Sequence, residues 1–269
     1  MVVIDGNQRL LSIKLFLNDA FELQGLKTYP ELNGYSWATL DPRFRDHIEN
    51  RTIRCITILK NTHPQIKFDV FERLNTGSVK LNAQELRHGL NHGPLMKQID
   101  DLVKFEKWKK LTGIKNDKRM RSAELVLRYF AFRQNYEAYQ KPLSDFLDRY
   151  SASSKSLSKA EIDKLSTEFK AVVDKVEYAL GRLAFRVFDK NQKPLSPFNS
   201  ALFDAEMMGF VISNNRKVAT CNFDPRAMKD HIQKLFEIPA FINSIRQATS
   251  DEVAVRNRIK LFVDHLNVF

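Results

Sequence analysis

The stretch MVVIDGNQRLLSIKLFLNDAF (residues 1–21) decides how this chain is first read. Val2, Val3 and Ile4 form a β-branched run long enough for the end of a buried strand. Asp5 to Arg9 then bring together an acid, a glycine, two side-chain amides and a guanidinium. From there Leu10, Leu11, Lys14, Leu15 and Asn18 recur at near-helical spacing, and Ile13, Phe16 and Leu17 broaden the apolar face. The reading is strand, turn, helix. Further on, YPELNGYSW (29–37) carries loop chemistry, and LDPRFRDHIEN (40–50) reads as a short helix capped by Asp41 with Pro42 at its first position. RTIRCITIL (51–59) is the best second strand, with Ile53, Cys55 and Thr57 alternating against Arg54, Ile56 and Ile58.

HPQIKFDVFERLNTG (63–77) has helical spacing at Phe68, Phe71 and Leu74 and stops at an Asn-Thr-Gly suited to a left-handed cap. Asn82, three residues before Glu85, makes a capping-box pattern. Beyond Gly93 the chain turns to helix after helix. KRMRSAELVLRYFAFRQNYEAY (118–139), LSDFLDRY (143–150) and SKAEIDKLSTEFKAVVDKVEYALGRLAF (158–185) are followed by NSALFDAEMMGFVIS (199–213), DPRAMKDHIQKLF (224–236) and DEVAVRNRIKLFVDHL (251–266), the first and last opening on Asn199 and Asp251 as caps. The expected fold class is therefore α+β: a small α/β unit over residues 1–92 and a larger all-α domain over 93–269.

Hydrophobic residues make up 43% of the 269 and charged residues 28%, the balance of a globular protein. The net charge of +11 raises a polyanionic partner. Cys55 and Cys221, far apart in sequence and without a Cys-x-x-Cys partner, give little support to a disulfide scaffold or thiolate zinc site. With no readable secretory signal and no long apolar run, a cytoplasmic protein without membrane association is expected.

If the first strand ends at Ile4, Asp5 is the N-cap and Gln8 the third helical residue, a variant capping box that accounts for both by stability alone. Gly6 and Arg9 exceed that account. A glycine inside a helix costs about 0.5–1 kcal/mol relative to alanine but lets a ligand approach the backbone. Gly6, Asn7, Gln8 and Arg9 would surround the open N–H groups of a helix start, where a phosphate is favoured. Asp5 repels that phosphate unless Mg²⁺ or water lies between, so it is either a cap facing away or the residue that handles metal and water.

Taken in order, VIDGNQRL (3–10) and FERLNTGSVKLNAQELR (71–87) resemble the N-terminal domain family of the GmrSD-type restriction endonucleases, related in fold to ParB and sulfiredoxin. The family pattern Asp-Gly-Gln-Gln-Arg appears here as Asp5-Gly6-Asn7-Gln8-Arg9, with asparagine replacing the first glutamine. The second motif runs from Phe71 to Asn75 and continues through Gly77, Leu81, Glu85 and Arg87. What the resemblance implies is binding of a nucleotide (ATP, GTP or CTP), hydrolysed in some members with Mg²⁺, in the service of restricting modified or phage DNA. On this sequence it assigns phosphate contact to Arg9, phosphate or water to Gln8, and Mg²⁺ or the attacking water to Asp5. Asn75 would brace the first motif, with Phe71 and Glu85 supporting. The family's usual segment before the Asp-Gly motif is not found, so the first domain is expected to be incomplete, supplemented by a partner, or inactive. No His-Asn-His nuclease pattern accompanies Asp230 and His231, so cleavage by this chain itself is not expected, and a nuclease or another defence subunit is a candidate partner.

KFEKWKKLTGIKNDKRMR (104–121) mixes cations with aromatics. Lys107, Lys109, Lys110, Lys118, Arg119 and Arg121 are the DNA-contact candidates, against the alternative of a solvated face with Trp108 in the core. Arg128 and Arg256 are candidates to extend that groove. His88 and His92, four apart, lack the glutamate of a helical zinc motif and read as helix-end histidines. Two function classes follow: a nucleotide-binding, NTP-hydrolysing module of a restriction or phage-defence system, and a non-catalytic DNA-binding or regulatory partner.

Overall fold

The computed structural model describes residues 6–59, 62, 66, 70, 81–114 and 116–269. The chain divides into two compact units, Met1–Leu81 and Asn82–Phe269. The division precedes the capping box at Asn82, so residues 83–92 fold with the helical unit.

In the N-terminal unit, α1 (Asn7–Leu17) is followed by a short 3₁₀ turn and by α2 (Pro42–Glu49). Helix α2 starts where the sequence places it: the Asp41 carboxylate accepts from the Arg43 N–H at 2.9 Å, with Pro42 at the first position. Phe16 is buried against Phe21 and Trp37, with ring centroids 5.5 and 5.8 Å away. Around this contact Leu10, Leu11, Ile13, Leu15 and Leu17 all stay exposed.

The expected sheet is absent from the described residues, and the α+β assignment gives way to an all-α architecture. Residues 51–59 have no regular secondary structure, and none of residues 52–58 makes a backbone hydrogen bond to another described residue. The physical reason is that β-branched composition supplies only a preference, which pairing with a neighbouring strand must convert into a strand. The other strand candidate, Val2 to Ile4, lies outside the described residues. So does nearly all of the helix expected over 63–77, including Phe71 and Asn75. Among the described residues the single β contact is an isolated bridge between Phe188 and Pro194.

The helical unit comprises α3 (Ala83–Leu90), α4 (Pro94–Leu102), α5 (Glu106–Thr112), α6 (Arg121–Asn135), α7 (Leu143–Ser153), α8 (Lys159–Leu180), α9 (Ser200–Ile212), α10 (Arg216–Thr220), α11 (Pro225–Leu235), α12 (Pro239–Arg246) and α13 (Glu252–Asn267). Its centre is α9, in which every residue from Ala201 to Phe210 is buried. A helix apolar nearly all round has to be surrounded, and α6, α8, α12 and α13 pack on it. The crossing with α13 is so close that a Cβ at Gly209 would lie 2.2 Å from the Phe262 ring. Side-chain caps start the flanking helices: Ser158 and Glu161 form a capping box on α8, and Asn199, Asp224 and Asp251 cap α9, α11 and α13.

Candidate functional site

Helix α1 begins at Asn7, with Gly6 rather than Asp5 at the N-cap, one residue later than the sequence spacing predicts. Asp5 lies outside the described residues. Gly6 has φ +84°, in the left-handed region, and its carbonyl accepts from the Leu10 N–H at 2.9 Å. A Cβ on Gly6 would meet the Arg9 guanidinium at 3.3 Å. The left-handed backbone therefore favours glycine here, while the Arg9 guanidinium, at the end of a flexible side chain, lies close over it. The start of α1 has no side-chain cap among the described residues and no acid in its first turn. Asn7, Gln8 and Arg9 are exposed. The positive end of the helix dipole, the amide side chains of Asn7 and Gln8 and the Arg9 guanidinium thus occupy one turn, an arrangement suited to an anion.

Glu85 is committed to structure. Its carboxylate accepts from the Asn82 N–H at 2.6 Å while its own N–H donates to the Asn82 side chain at 2.9 Å, completing the predicted capping box. Arg119 approaches the same carboxylate at 3.3 Å, and its carbonyl accepts from the Asn82 amide at 2.7 Å. The 81–87 motif therefore ties the start of α3 to the loop before α6. Arg87 completes the tie: fully buried, it donates to Asp148 at 2.6 Å and to the Ser144 carbonyl at 3.3 Å. Desolvation outweighs the arginine and pushes the Asp148 carboxyl above its ordinary value.

The basic stretch 104–121 is largely neutralised in place. Lys107 pairs with Asp174 at 2.7 Å, Lys109 with Glu106 at 2.7 Å and Lys110 with Glu177 at 2.9 Å. Arg121 sits over the Phe198 ring at 5.5 Å. Lys118 is exposed. Trp108 is in the core, donating to the Ser122 hydroxyl at 2.7 Å and packing edge-on against Phe169 and Phe203, so no stacking surface forms there. Arg128 and Arg256 do not extend a groove. Arg256 donates to the Glu137 and Tyr139 carbonyls, and Arg128 is buried.

The burial of Arg128 exposes what sequence reasoning missed. Asp204 on α9 accepts from Arg128 on α6 through both oxygens and from Arg258 on α13. Arg258, with no accessible surface, also donates to the Thr249 carbonyl at 2.6 Å, while its Nε has no partner. Two residues along α9, Glu206 is equally buried. One oxygen accepts from the Phe185 N–H at 2.7 Å, the other has no partner, and burial holds this carboxyl well above its ordinary value. The signal in the sequence was Asp204 and Glu206 inside an otherwise apolar helix.

The histidines also find partners. The His88 ring lies 2.9 Å from Asp100. His231 and His265 stack at 3.9 Å, each Nε2 within 2.7 Å of the other's backbone carbonyl, which joins α11 to α13 and fixes both rings as Nε2–H donors. Burial lowers the His265 pKa. Among the described residues no cluster of three or more metal-ligating side chains occurs, and no helix is long and apolar enough to cross a membrane.

Searches of curated proteins and of solved structures returned no match. The family comparison did: residues 1–91 match the model of the GmrSD restriction endonuclease, N-terminal domain, a span that runs from before the Gly6 to Arg9 turn to the end of α3. That segment, about a third of the chain and carrying both motifs, is similar to the N-terminal domain of the GmrSD restriction endonucleases.

Proposed function

We propose that this chain is a component of a restriction or phage-defence system whose N-terminal unit binds a nucleotide through the start of α1. The observation that carries the reading is the turn at Gly6: an exposed helix start, left-handed at a glycine, with Arg9 folded over it and no acid in the first turn. Arg9 and the helix N–H groups hold phosphate, and Asn7 and Gln8 supply amide contacts. Asp5, next in the chain, would carry Mg²⁺, which offsets its repulsion of the phosphate and lets it position water for hydrolysis of the terminal phosphoryl group. Asn75 belongs to the same reading through the second motif. ATP, GTP and CTP are the candidates. DNA is the natural object of such a system, and a companion nuclease would cut it. The helical unit supplies the scaffold.

Calorimetric titration of each nucleotide with Mg²⁺ against the full chain tests this. One nucleotide should bind, and Arg9→Ala should weaken it by roughly tenfold or more, the loss of one charge-assisted contact. Absence of binding by all three ends the reading. A second reading, a non-catalytic regulatory partner, is favoured by the apolar surface that the N-terminal unit leaves open around α1.

A further inference from the structure

Two hollows lie side by side on the helical unit, between the loop 187–195 and helices α11 and α12. They share Lys190 and Gln233. The larger, about 810 Å³, is polar, and Arg226 and Lys234 stand on its rim. The smaller, about 380 Å³, has an apolar floor of Val187, Phe188, Phe236 and Ile242, with Leu195 and Arg246 at its mouth. Leu195 is 61% exposed although it adjoins that floor.

The carboxylates of the groove are already engaged. Asp189 accepts from the Asn191 and Lys193 N–H groups at 2.9 and 2.8 Å, Asp230 from the Gln192 amide at 3.2 Å, and Glu237 pairs with Lys190 at 3.2 Å. Arg226, Lys234 and Arg246, all exposed, form no ion pair among the described residues. Neutral donors leave Asp189 and Asp230 charged, so the four lining cations, Lys190, Arg226, Lys234 and Arg246, exceed the three carboxylates by one, beside an apolar slot of side-chain size. Nucleic acid fits this poorly. Single strands need open aromatic faces, and here Phe188 is buried, its ring meeting Phe236 edge to face at 5.1 Å.

We propose that this groove docks an acidic peptide segment of a partner protein, an aliphatic or aromatic anchor entering the slot while carboxylates meet Arg226, Lys234 and Arg246. Charge complementarity sets the approach and register, and the anchor supplies the apolar burial.

Selection of random peptides on the immobilised full chain, followed by anisotropy of a labelled winner, tests the assignment. The expected winners are acidic with one bulky apolar anchor. Arg226→Glu with Lys234→Glu should weaken them by roughly tenfold or more, and Leu195→Glu should do so separately, with thermal midpoints unchanged. No enrichment, or winners indifferent to both variants, overturns the proposal. So does a labelled oligothymidylate whose binding is lost in the same variants, which would make the groove a nucleic-acid surface.

Discussion

The two units use similar apolar material to opposite effect. Among the described residues of the N-terminal unit only Phe16 and Leu40 are buried hydrophobics, whereas the helical unit gathers one continuous core running from Leu95 to Leu266. Helix α1 carries five leucine and isoleucine side chains to the two of α9, yet all five stay exposed while α9 is enclosed. Apolar composition sets how much surface a helix could bury, and neighbours decide how much it does. Stability should therefore be concentrated in the helical unit and function in the segment that matches the family.

The sharpest break in that comparison is at Asp204. Replacing it by asparagine leaves Arg128 and Arg258 buried without their counter-charge and should cost about 3–5 kcal/mol. Chemical denaturation monitored by helical circular dichroism measures this. A loss under about 1 kcal/mol would mean that the arginines are neutralised by other groups. Next in size is Gly209→Ala, whose methyl group overlaps Phe262. The overpacked crossing should cost about 1–3 kcal/mol in the same experiment.

A pH effect follows from Glu206. Because the folded state raises its pKa, this group favours folding while both states are protonated, and that contribution fades as pH rises above the ordinary glutamate value of 4.5. Thermal midpoints from pH 5 to 8 should fall less steeply in Glu206→Gln than in the natural chain. Parallel slopes would show that Glu206 does not carry the effect. The smallest change belongs to the N-terminal unit: Ile56 is 93% exposed, so Ile56→Ser should move stability by no more than about 0.5 kcal/mol. A larger loss would mean that residues 51–59 are covered in the protein as it folds in solution.

Much of the helical unit was legible because its signals are local. Asn82, Asn199 and Asp251 each cap the helix that their position announces, and Glu85 closes its box. The sheet was misread because a strand is a relation between segments, and the alternation in residues 51–59 records only one partner of it. The start of α1 was legible as a polar turn, but the register of its cap was one residue off, since Gly6 and Asp5 are both acceptable N-caps. Charge was hardest to place. Lys107 and Lys110 look like a basic face in the sequence, yet their partners, Asp174 and Glu177, arrive from a helix more than sixty residues later. Buried Arg128 and Arg258 carry no local mark at all, because the carboxylate that admits them is likewise distant in the chain.

The shared carboxylate of Asp204 also imposes a timetable. Arg128 precedes it by 76 residues and Arg258 follows it by 54, so during synthesis the aspartate meets its first arginine well before its second exists. At about 5–20 residues per second the ribosome needs roughly 3–11 s to deliver the last helix. Throughout that interval α9 has no α13 to shield the face on which Phe262 later packs.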